Sequence, residues 1–419
     1  MLRSLLLFAF GISLAWNASA QTIIDCGSGR YDSELFPDVT VQSDVIYGSN
    51  VDANGQTLQL KMDIYQPDGD TAAYRPAIVM VHGGSFIAGS KLDNDVVEIC
   101  TRFAKRGYVC ASIDYRIGIP FPIAEANAVR AVYRAVQDMK AAVRFFRQDA
   151  ATANTYRIDP DIIFGGGSSA GAFTALHLAY LDDPAELPSQ IDTVALGGME
   201  GNSGNPGYSS EIKAVVNLCG ALGNKTWIHP GDEPLCSMHG TVDNTVPYGT
   251  DMIYLAGIFP IMIVDGSYPV AEQGNLVGLD NTMYTFFGAD HVPYAIDAAY
   301  MDTTIRFVSN FLYRQLGCTP ADPEPLANTF PTTGIQDQQK ADWSIFPNPA
   351  AGRFQWQNLP AEAASFRLVD PQGRVVINSR EFRDRAVDLS GLPAGMYFIR
   401  LMNEKEQEIG QKILVVLGM

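Results

Sequence analysis

A serine set among small residues is the first candidate for chemistry in this chain of 419 residues. The segment Gly167-Ser168-Ser169-Ala170-Gly171 follows an apolar run predicted as a buried strand and precedes an apolar stretch predicted as a helix. Its spacing, G-x-S-x-G, is that of a nucleophile elbow, a strained strand-to-helix turn that needs small neighbours around the central serine. The alternative is phosphate binding at the start of the helix. Phosphate loops carry a Lys after the glycines, and dinucleotide turns belong to the first βα unit. In this chain no Lys follows the glycines, and the segment comes after several predicted strands. We therefore predict Ser169 as a nucleophile.

A nucleophilic serine needs a histidine base, and in the chain order of an elbow fold the histidine comes last. The chain has five histidines. His82 precedes the serine, His177 falls in the predicted helix where core packing is expected, and His229 lies in a Pro/Gly-rich loop. His239 comes directly before a candidate acid. His291, in the loop after a strand, is therefore the predicted general base.

The acid that orients the base should lie between the serine and the histidine. Asp243 follows an apolar strand and sits in a turn closed by Pro247, so it is the first candidate. Asp265 is the second. Asp290 adjoins His291, and because sequence neighbours rarely face each other we expect it to cap a turn.

Glycines that follow another strand could bind a developing oxyanion. In the segment HGGSF, residues 82–86, the backbone N–H groups of Gly83 and Gly84 can turn towards such a charge, and the N–H of Ala170 would complete the oxyanion hole. A glycine-rich turn without chemistry is the alternative. Serine, acid, histidine and oxyanion loop occur in the expected order, which favours the functional interpretation.

The substrate is the part that the residues define least. Phe86, Phe121, Trp227 and Tyr248 are candidates for lining a pocket, although core packing explains each of them equally well. Export makes an ester on a polymer, a plant-wall sugar or a polyester conceivable, and no residue selects among these.

The elements that must position these residues alternate between strand and helix from residue 45 onwards, which predicts a parallel sheet covered by helices on both faces. Asn54-Gly55 predicts the turn of an early hairpin. We assign residues 21–316 to this α/β domain. Residues 317–342 are rich in Pro, Thr, Asp and Gln and read as a linker. Short alternating segments in residues 343–419 predict a small all-β sandwich.

The N-terminus indicates export. Arg3, an apolar stretch and an Ala-Ser-Ala site at 18–20 form a secretory signal peptide that would be cleaved after residue 20, and the stretch is too short to span a membrane. The net charge of −17 speaks against nucleic-acid partners and anionic membrane surfaces.

Six cysteines in an exported chain suggest disulfides. Possible pairs are Cys100 with Cys110, Cys219 with Cys236, and Cys26 with Cys318, with buried free thiols as the alternative. Their spacing does not fit a zinc site.

The motifs HGGSF, GSSAG, HGTVDNTVP and GADHVPY resemble the α/β-hydrolase esterases related to carboxylesterases and hormone-sensitive lipase, over roughly Val45 to Leu316. The resemblance implies the α/β-hydrolase fold, with Ser169 as nucleophile, Asp243 as acid, His291 as base, and Gly83, Gly84 and Ala170 as oxyanion donors. Two positions depart from many relatives: Ser85 replaces a third glycine, and Ser168 replaces Asp or Glu.

The tail resembles another family. WSIFPNPAAGRF, LPAGMYFIRL and KILVV, within Trp343 to Leu417, look like the C-terminal sorting domain of type IX secretion in Bacteroidetes. A carbohydrate-binding module is the alternative, but no row of Trp or Tyr at alternating strand positions supports it.

Together these observations predict a secreted serine ester hydrolase that needs no metal or organic cofactor. Its expected partners are a small or polymer-borne ester and the secretion machinery. A serine peptidase of the same fold is the main alternative, and an inactive binding protein is the last.

Overall fold

We describe the protein from a computed structural model. It describes residues 24–255 and 258–320 and, in the tail, residues 343–347, 350, 352–360, 362–369, 374–380, 386–393, 395–404 and 408–416. The signal peptide and most of the predicted linker lie outside these residues. The chain divides into two compact units, residues 1–330 and 331–419, which are described separately.

The first unit opens with a hairpin and then alternates strands and helices. The elements are β1 (Val39–Val51), β2 (Thr57–Pro67), β3 (Arg75–Val81), α1 (Asn94–Lys105), β4 (Val109–Ile113), α2 (Glu125–Ala151), β5 (Ile158–Ser168), α3 (Ala170–Tyr180), β6 (Val215–Leu218), β7 (Ala221–Leu222), β8 (Leu235–Gly240), β9 (Thr250–Leu255), β10 (Phe259–Gly266), α4 (Ser267–Val277), β11 (Asn281–Phe286) and α5 (Ala298–Gln315). The predicted hairpin is present as β1 and β2, and Gly55 adopts a positive φ of 81° in its loop.

One eight-stranded sheet organises this unit, in the order β1-β2-β4-β3-β5-β6-β8-β11. The six strands from β4 to β11 run parallel, and β1 and β2 run antiparallel at one edge. The predicted α/β sheet is confirmed. A separate three-stranded sheet, β7-β10-β9, was not predicted.

The sheet is buried on both faces, as its continuous apolar strands predict. Along β3, Ala77, Val79 and Val81 pack in one core cluster, whereas Ile78 and Met80 pack in the other. Helices α2 and α3 contribute to the first cluster, and α1 and α5 contribute to the second. The period-2 alternation of a strand thus divides its side chains between two helical layers.

The parallel arrangement decides where chemistry can occur. The residues that follow β3, β5, β8 and β11 are brought to the carboxyl ends of neighbouring strands, where open α/β sheets form their binding crevice.

Of the three disulfides considered, only Cys26–Cys318 forms within the described residues, with the two Cα atoms 5.5 Å apart. The other two pairings are wrong, because Cys100, Cys110, Cys219 and Cys236 are buried free thiols. In the sheet register Cys236 lies beside Val216, so Cys219 is three positions, about 10 Å, further along. For the first pair, both thiols are fully buried, and burial raises the pKa of Cys100 and of Cys110 well above the usual range.

The second unit is all-β, as predicted. It contains β12 (Ser344–Phe346), β13 (Arg353–Gln357), β14 (Ser365–Val369), β15 (Val375–Ser379), β16 (Val387–Asp388), β17 (Gly395–Met402) and β18 (Glu408–Val416). These form a three-stranded and a four-stranded antiparallel sheet around their own apolar core, which includes Trp343, Phe354 and Phe366. No helix in the described part of the chain is both long and apolar enough to cross a membrane.

Candidate active site

Ser169 occupies a sharp turn between β5 and α3. Its backbone has φ 54° and ψ −117°, a conformation that costs a non-glycine residue free energy and is concentrated at functional sites. A Cβ atom at Gly167 would lie 2.2 Å from the carbonyl carbon of Gly171, and one at Gly171 would lie 1.9 Å from the carbonyl oxygen of Val81. The small residues are therefore required by close backbone packing around the serine.

His291 lies in the loop after β11 and reaches the serine. Its Nε2 is 2.8 Å from Oγ of Ser169. Tyr294, three residues further, holds this loop against the elbow: its hydroxyl lies 2.8 Å from Oγ of Ser168 and donates to the carbonyl of Leu218 at 3.2 Å. This contact gives Ser168 a structural partner at the position where many relatives carry an acidic residue.

Asp243 completes the hydrogen-bonded chain. Its Oδ2 accepts from Nδ1 of His291 at 2.6 Å, and its Oδ1 accepts from the backbone N–H groups of Thr245 and Val246, both at 2.8 Å. Burial acts to raise the pKa of this carboxyl group, but hydrogen bonds from His239 and His291 outweigh it and hold the pKa well below its usual range. Asp243 is therefore ionised and fixed in direction.

The other two acidic candidates serve the loops. Asp265 accepts from the backbone N–H of Lys225 at 2.8 Å and from the Thr250 hydroxyl at 2.5 Å. Asp290 accepts from the N–H groups of Asn244 and His291, which is the turn-capping role expected for it.

The loop after β3 lies against the serine. A Cβ atom at Gly83 would be 3.3 Å from Cβ of Ser169. Gly84, Ser85 and Phe86 all have positive φ values, 104°, 54° and 61°, so the backbone curls tightly at this point. The N–H of Ala170 belongs to the first turn of α3, where helical N–H groups have no partner within the helix.

His82 contacts this loop and packs against Tyr115. Its ring stacks on Tyr115 at 4.4 Å between centroids, and its Nδ1 lies 2.7 Å from the carbonyl oxygen of Gly83. Burial lowers the pKa of His82, so the neutral ring packs in the core.

An apolar cleft opens beside Ser169. It encloses about 940 Å³ of empty space, including the part open to solvent. Its walls come from the loop after β3, one face of α2, helix α3 with the segment after it, the loops after β7 and β8, and the hairpin β9–β10. Representative lining residues are Phe86, Val132, Phe173, Trp227 and Met262.

Two of the four aromatic residues considered for the pocket, Phe86 and Trp227, line this cleft. Tyr248 does not; it packs against His239 and Tyr268, and its hydroxyl lies 3.0 Å from that of Thr285. Phe121 is 92% exposed and is also not part of the lining.

Two histidines have contacts that the sequence did not reveal. His177 is buried, as expected for core packing, yet it also lines the cleft. Its Nδ1 donates to the carbonyl of Phe173 at 2.7 Å, and its Nε2 accepts from the N–H of Gly223. Burial lowers its pKa to about 4. His239 hydrogen-bonds the same oxygen of Asp243 as His291 does. Only its position four residues before the acid could have pointed to it.

Cys219, Asp243 and His291 offer ligand atoms within 4.8 Å of one another. Their chemistry does not suit a metal ion. Nδ1 of His291 is already bonded to Asp243, and the two oxygens of Asp243 are engaged with four hydrogen-bond donors.

Comparisons with known proteins divide the chain in the same way. The BD-FAE family model matches residues 62–223, and the model of the secretion system C-terminal sorting domain matches residues 344–416.

Among curated proteins, Esterase LipC of Mycobacterium tuberculosis is 27% identical over 188 residues, which are 43% of this chain and 40% of LipC. Gut esterase 1 of Caenorhabditis briggsae is 23% identical over 206 residues, which are 48% of this chain and 35% of that protein. The chain therefore spans well under half the length of the curated relatives it matches.

Among solved structures, esterase 2 of Thermogutta terrifontis phosphorylated by paraoxon is 26% identical with a TM-score of 0.46, covering 67% of this chain and 95% of that one. The native form of that thermophilic esterase is 25% identical with a TM-score of 0.47, covering 71% and 99%.

Proposed function

We propose that this chain joins an esterase domain of the α/β-hydrolase fold, of the BD-FAE family, to a secretion system C-terminal sorting domain, and that it is a secreted serine ester hydrolase. The observation that carries the proposal is the unbroken hydrogen-bonded chain from Oγ of Ser169 through His291 to Oδ2 of Asp243.

In the first half of the reaction Oγ of Ser169 attacks the ester carbonyl carbon while Nε2 of His291 takes the hydroxyl proton. Asp243 stabilises the imidazolium that forms and keeps the ring oriented. The tetrahedral intermediate then collapses. The alcohol leaves with the proton held by His291, and the acyl group stays on the serine as an ester.

In the second half a water molecule attacks the acyl-enzyme. His291 takes the water proton and returns it to Oγ of Ser169 as the acid departs. The N–H groups of Gly83, Gly84 and Ala170 would bind the oxyanion in both halves. Removing one such donor typically costs about 3 kcal/mol of transition-state stabilisation.

The cleft suggests an apolar acyl group. Its lining is aliphatic and aromatic apart from a few groups such as Ser85, Tyr133, His177 and Thr245, and the His177 ring is neutral above a pKa of about 4. Among the described residues that line the cleft, none has a cationic side chain that could bind an anionic substrate. Apolar burial in such a cleft contributes about 25 cal/mol per Å², which favours longer or aromatic acyl groups over acetyl.

Labelling tests the nucleophile. A fluorophosphonate probe should modify Ser169, and Ser169→Ala should lower ester turnover about 10⁵- to 10⁶-fold with the fold intact. Ser168→Ala is the matched control, because it removes only the contact with Tyr294 and should keep most of the activity. Peptide mapping that finds the label on Ser168 would refute the assignment.

The same preparation separates the competing functions. An ester hydrolase turns over a chromogenic short-chain ester and leaves an aminoacyl anilide intact, a serine peptidase cleaves the anilide efficiently, and an inactive binding protein cleaves neither. The sorting domain indicates secretion. We propose that it directs the esterase across the outer membrane and plays no part in turnover.

A further inference from the structure

His239, near the end of β8, contacts the candidate acid but has no part in the mechanism above. Its Nε2 lies 3.1 Å from Oδ2 of Asp243, the same oxygen that accepts from His291 at 2.6 Å. The side chains of His239 and Asp243 are both fully buried. One carboxylate oxygen thus lies between two imidazole rings, only one of which reaches the serine.

The partners of His239 define which nitrogen carries the proton. Nε2 is 3.1 Å from Oδ2 of Asp243 and also 3.1 Å from the carbonyl oxygen of Val246. Both of these oxygens are acceptors, so Nε2 must be the donor. Through this one N–H, His239 binds both the carboxylate and the loop that carries it.

The other ring nitrogen of His239, Nδ1, is held by two buried polar side chains, Ser267 and Asn217. Nδ1 of His239 lies 2.7 Å from Oγ of Ser267. That oxygen accepts from the Asn217 side chain at 2.9 Å and lies 3.3 Å from the carbonyl of Gly220. The shorter contact is to Nδ1, so the Ser267 hydroxyl donates to the ring and fixes the Nε2–H tautomer. Asn217 and Ser267 are fully buried. Losing one hydrogen-bond partner would therefore leave a buried polar group unpaired, which costs free energy of folding.

We propose that His239 is a positioning residue for the triad: by donating from Nε2 it holds Oδ2 of Asp243 in line with His291. The proposal rests on the proposed ester hydrolysis.

Removing His239 should weaken the hold on the carboxylate. Burial acts to raise the pKa of Asp243, and the hydrogen bond from His239 is the largest of the contacts that lower it, because such a bond stabilises the charged form. Without that bond, Oδ2 of Asp243 keeps only the bond from His291. The imidazole that Asp243 orients is then held less firmly beside Oγ of Ser169, so kcat should fall.

The test compares His239→Leu with His239→Gln, whose amide can still donate to Asp243. With a chromogenic ester, His239→Leu should lose about ten- to a hundredfold in kcat, the usual effect of a hydrogen bond to a charged group, with little change in KM. His239→Gln should recover much of this loss. Tyr248→Phe, which alters the packing beside His239 without touching Asp243, is the control.

The outcomes are separable. Equal loss in the Leu and Gln variants, or parental kcat in His239→Leu, overturns the positioning role. If the Leu variant does not fold, Ser267→Ala takes its place, since it removes the hydrogen bond that holds the ring at Nδ1 and should also lower kcat; parental kcat there overturns the proposal. A parent protein that hydrolyses no ester contradicts the proposed function itself.

Discussion

At the scale of single residues, the site depends on one oxygen of Asp243 facing His291. The carboxylate is buried, yet four donors keep it ionised. A buried carboxylate with its lone pairs occupied can orient an imidazole and balance its charge without taking its proton.

Asp243→Asn should lower kcat by about four orders of magnitude, because an amide in place of the carboxylate leaves His291 in the wrong tautomer. Asp265→Asn is the control, since that residue binds only Lys225 and Thr250 and should leave turnover within a fewfold of the parent. Steady-state kinetics on a soluble ester decides between them. Comparable losses in both variants would leave the acid without an assignment.

Some residues of the site were accessible from the sequence and others were not. Ser169 could be located because the elbow needs Gly167 and Gly171, and His291 because chain order eliminates the other histidines. Tyr248 was placed in the pocket on residue type alone. Its side chain instead packs behind the site, because the direction of a loop side chain depends on tertiary contacts that no local pattern records.

At the scale of elements, the parallel sheet brings the site residues together because the carboxyl ends of four strands lie on the same side of it. β3, β5, β8 and β11 are separated by up to about 200 residues of chain, and their parallel pairing brings the loops after them together. Alternating apolar segments predicted this sheet. They did not predict the hairpin β9–β10, whose strands are partly exposed and lack a clear period.

Gly171→Ala tests how closely α3 packs against β3. The new methyl group would meet the Val81 carbonyl oxygen at 1.9 Å, a backbone atom that cannot move aside. We expect a loss of about 3 kcal/mol in the free energy of unfolding, at the upper end of overpacking effects. Gly249→Ala adds the same methyl group where no atom lies within 4 Å and should change stability little. Urea denaturation of both variants measures the difference, and equal stabilities would contradict the packing described.

Val132→Trp tests whether the cleft holds the acyl group. Val132 projects from α2 into the cleft, and an indole there should fill the space that a long acyl chain needs. Hydrolysis of an octanoyl ester should fall at least about tenfold, the value of losing roughly two buried methylene groups. Hydrolysis of the acetyl ester of the same alcohol should persist and serves as the internal control. A uniform loss across chain lengths would place the acyl group elsewhere.

At the scale of the whole molecule, the site lies entirely within the first unit, and the second has its own core. A protein ending at Pro320 should therefore keep its turnover of soluble esters. Loss of that activity would mean that the tail supports the catalytic unit.

The end point of the truncation matters, because Cys318 pairs with Cys26. A protein ending at Leu316 lacks that partner and should be less stable than the one ending at Pro320 by about 2–5 kcal/mol, the usual contribution of a disulfide that closes a long loop. Thermal melts of the two proteins with and without reductant compare them. Identical melting temperatures under oxidising conditions would show that the crosslink adds nothing.

The same crosslink gives the catalytic unit the connectivity of a ring, since it joins residues 26 and 318 across a separation of 292 positions. One backbone cut anywhere inside the ring linearises it without releasing a fragment. An exported enzyme that meets foreign proteases would thus survive a first nick as a single covalent particle. The damage would become visible as two bands on a denaturing gel only after reductant is added.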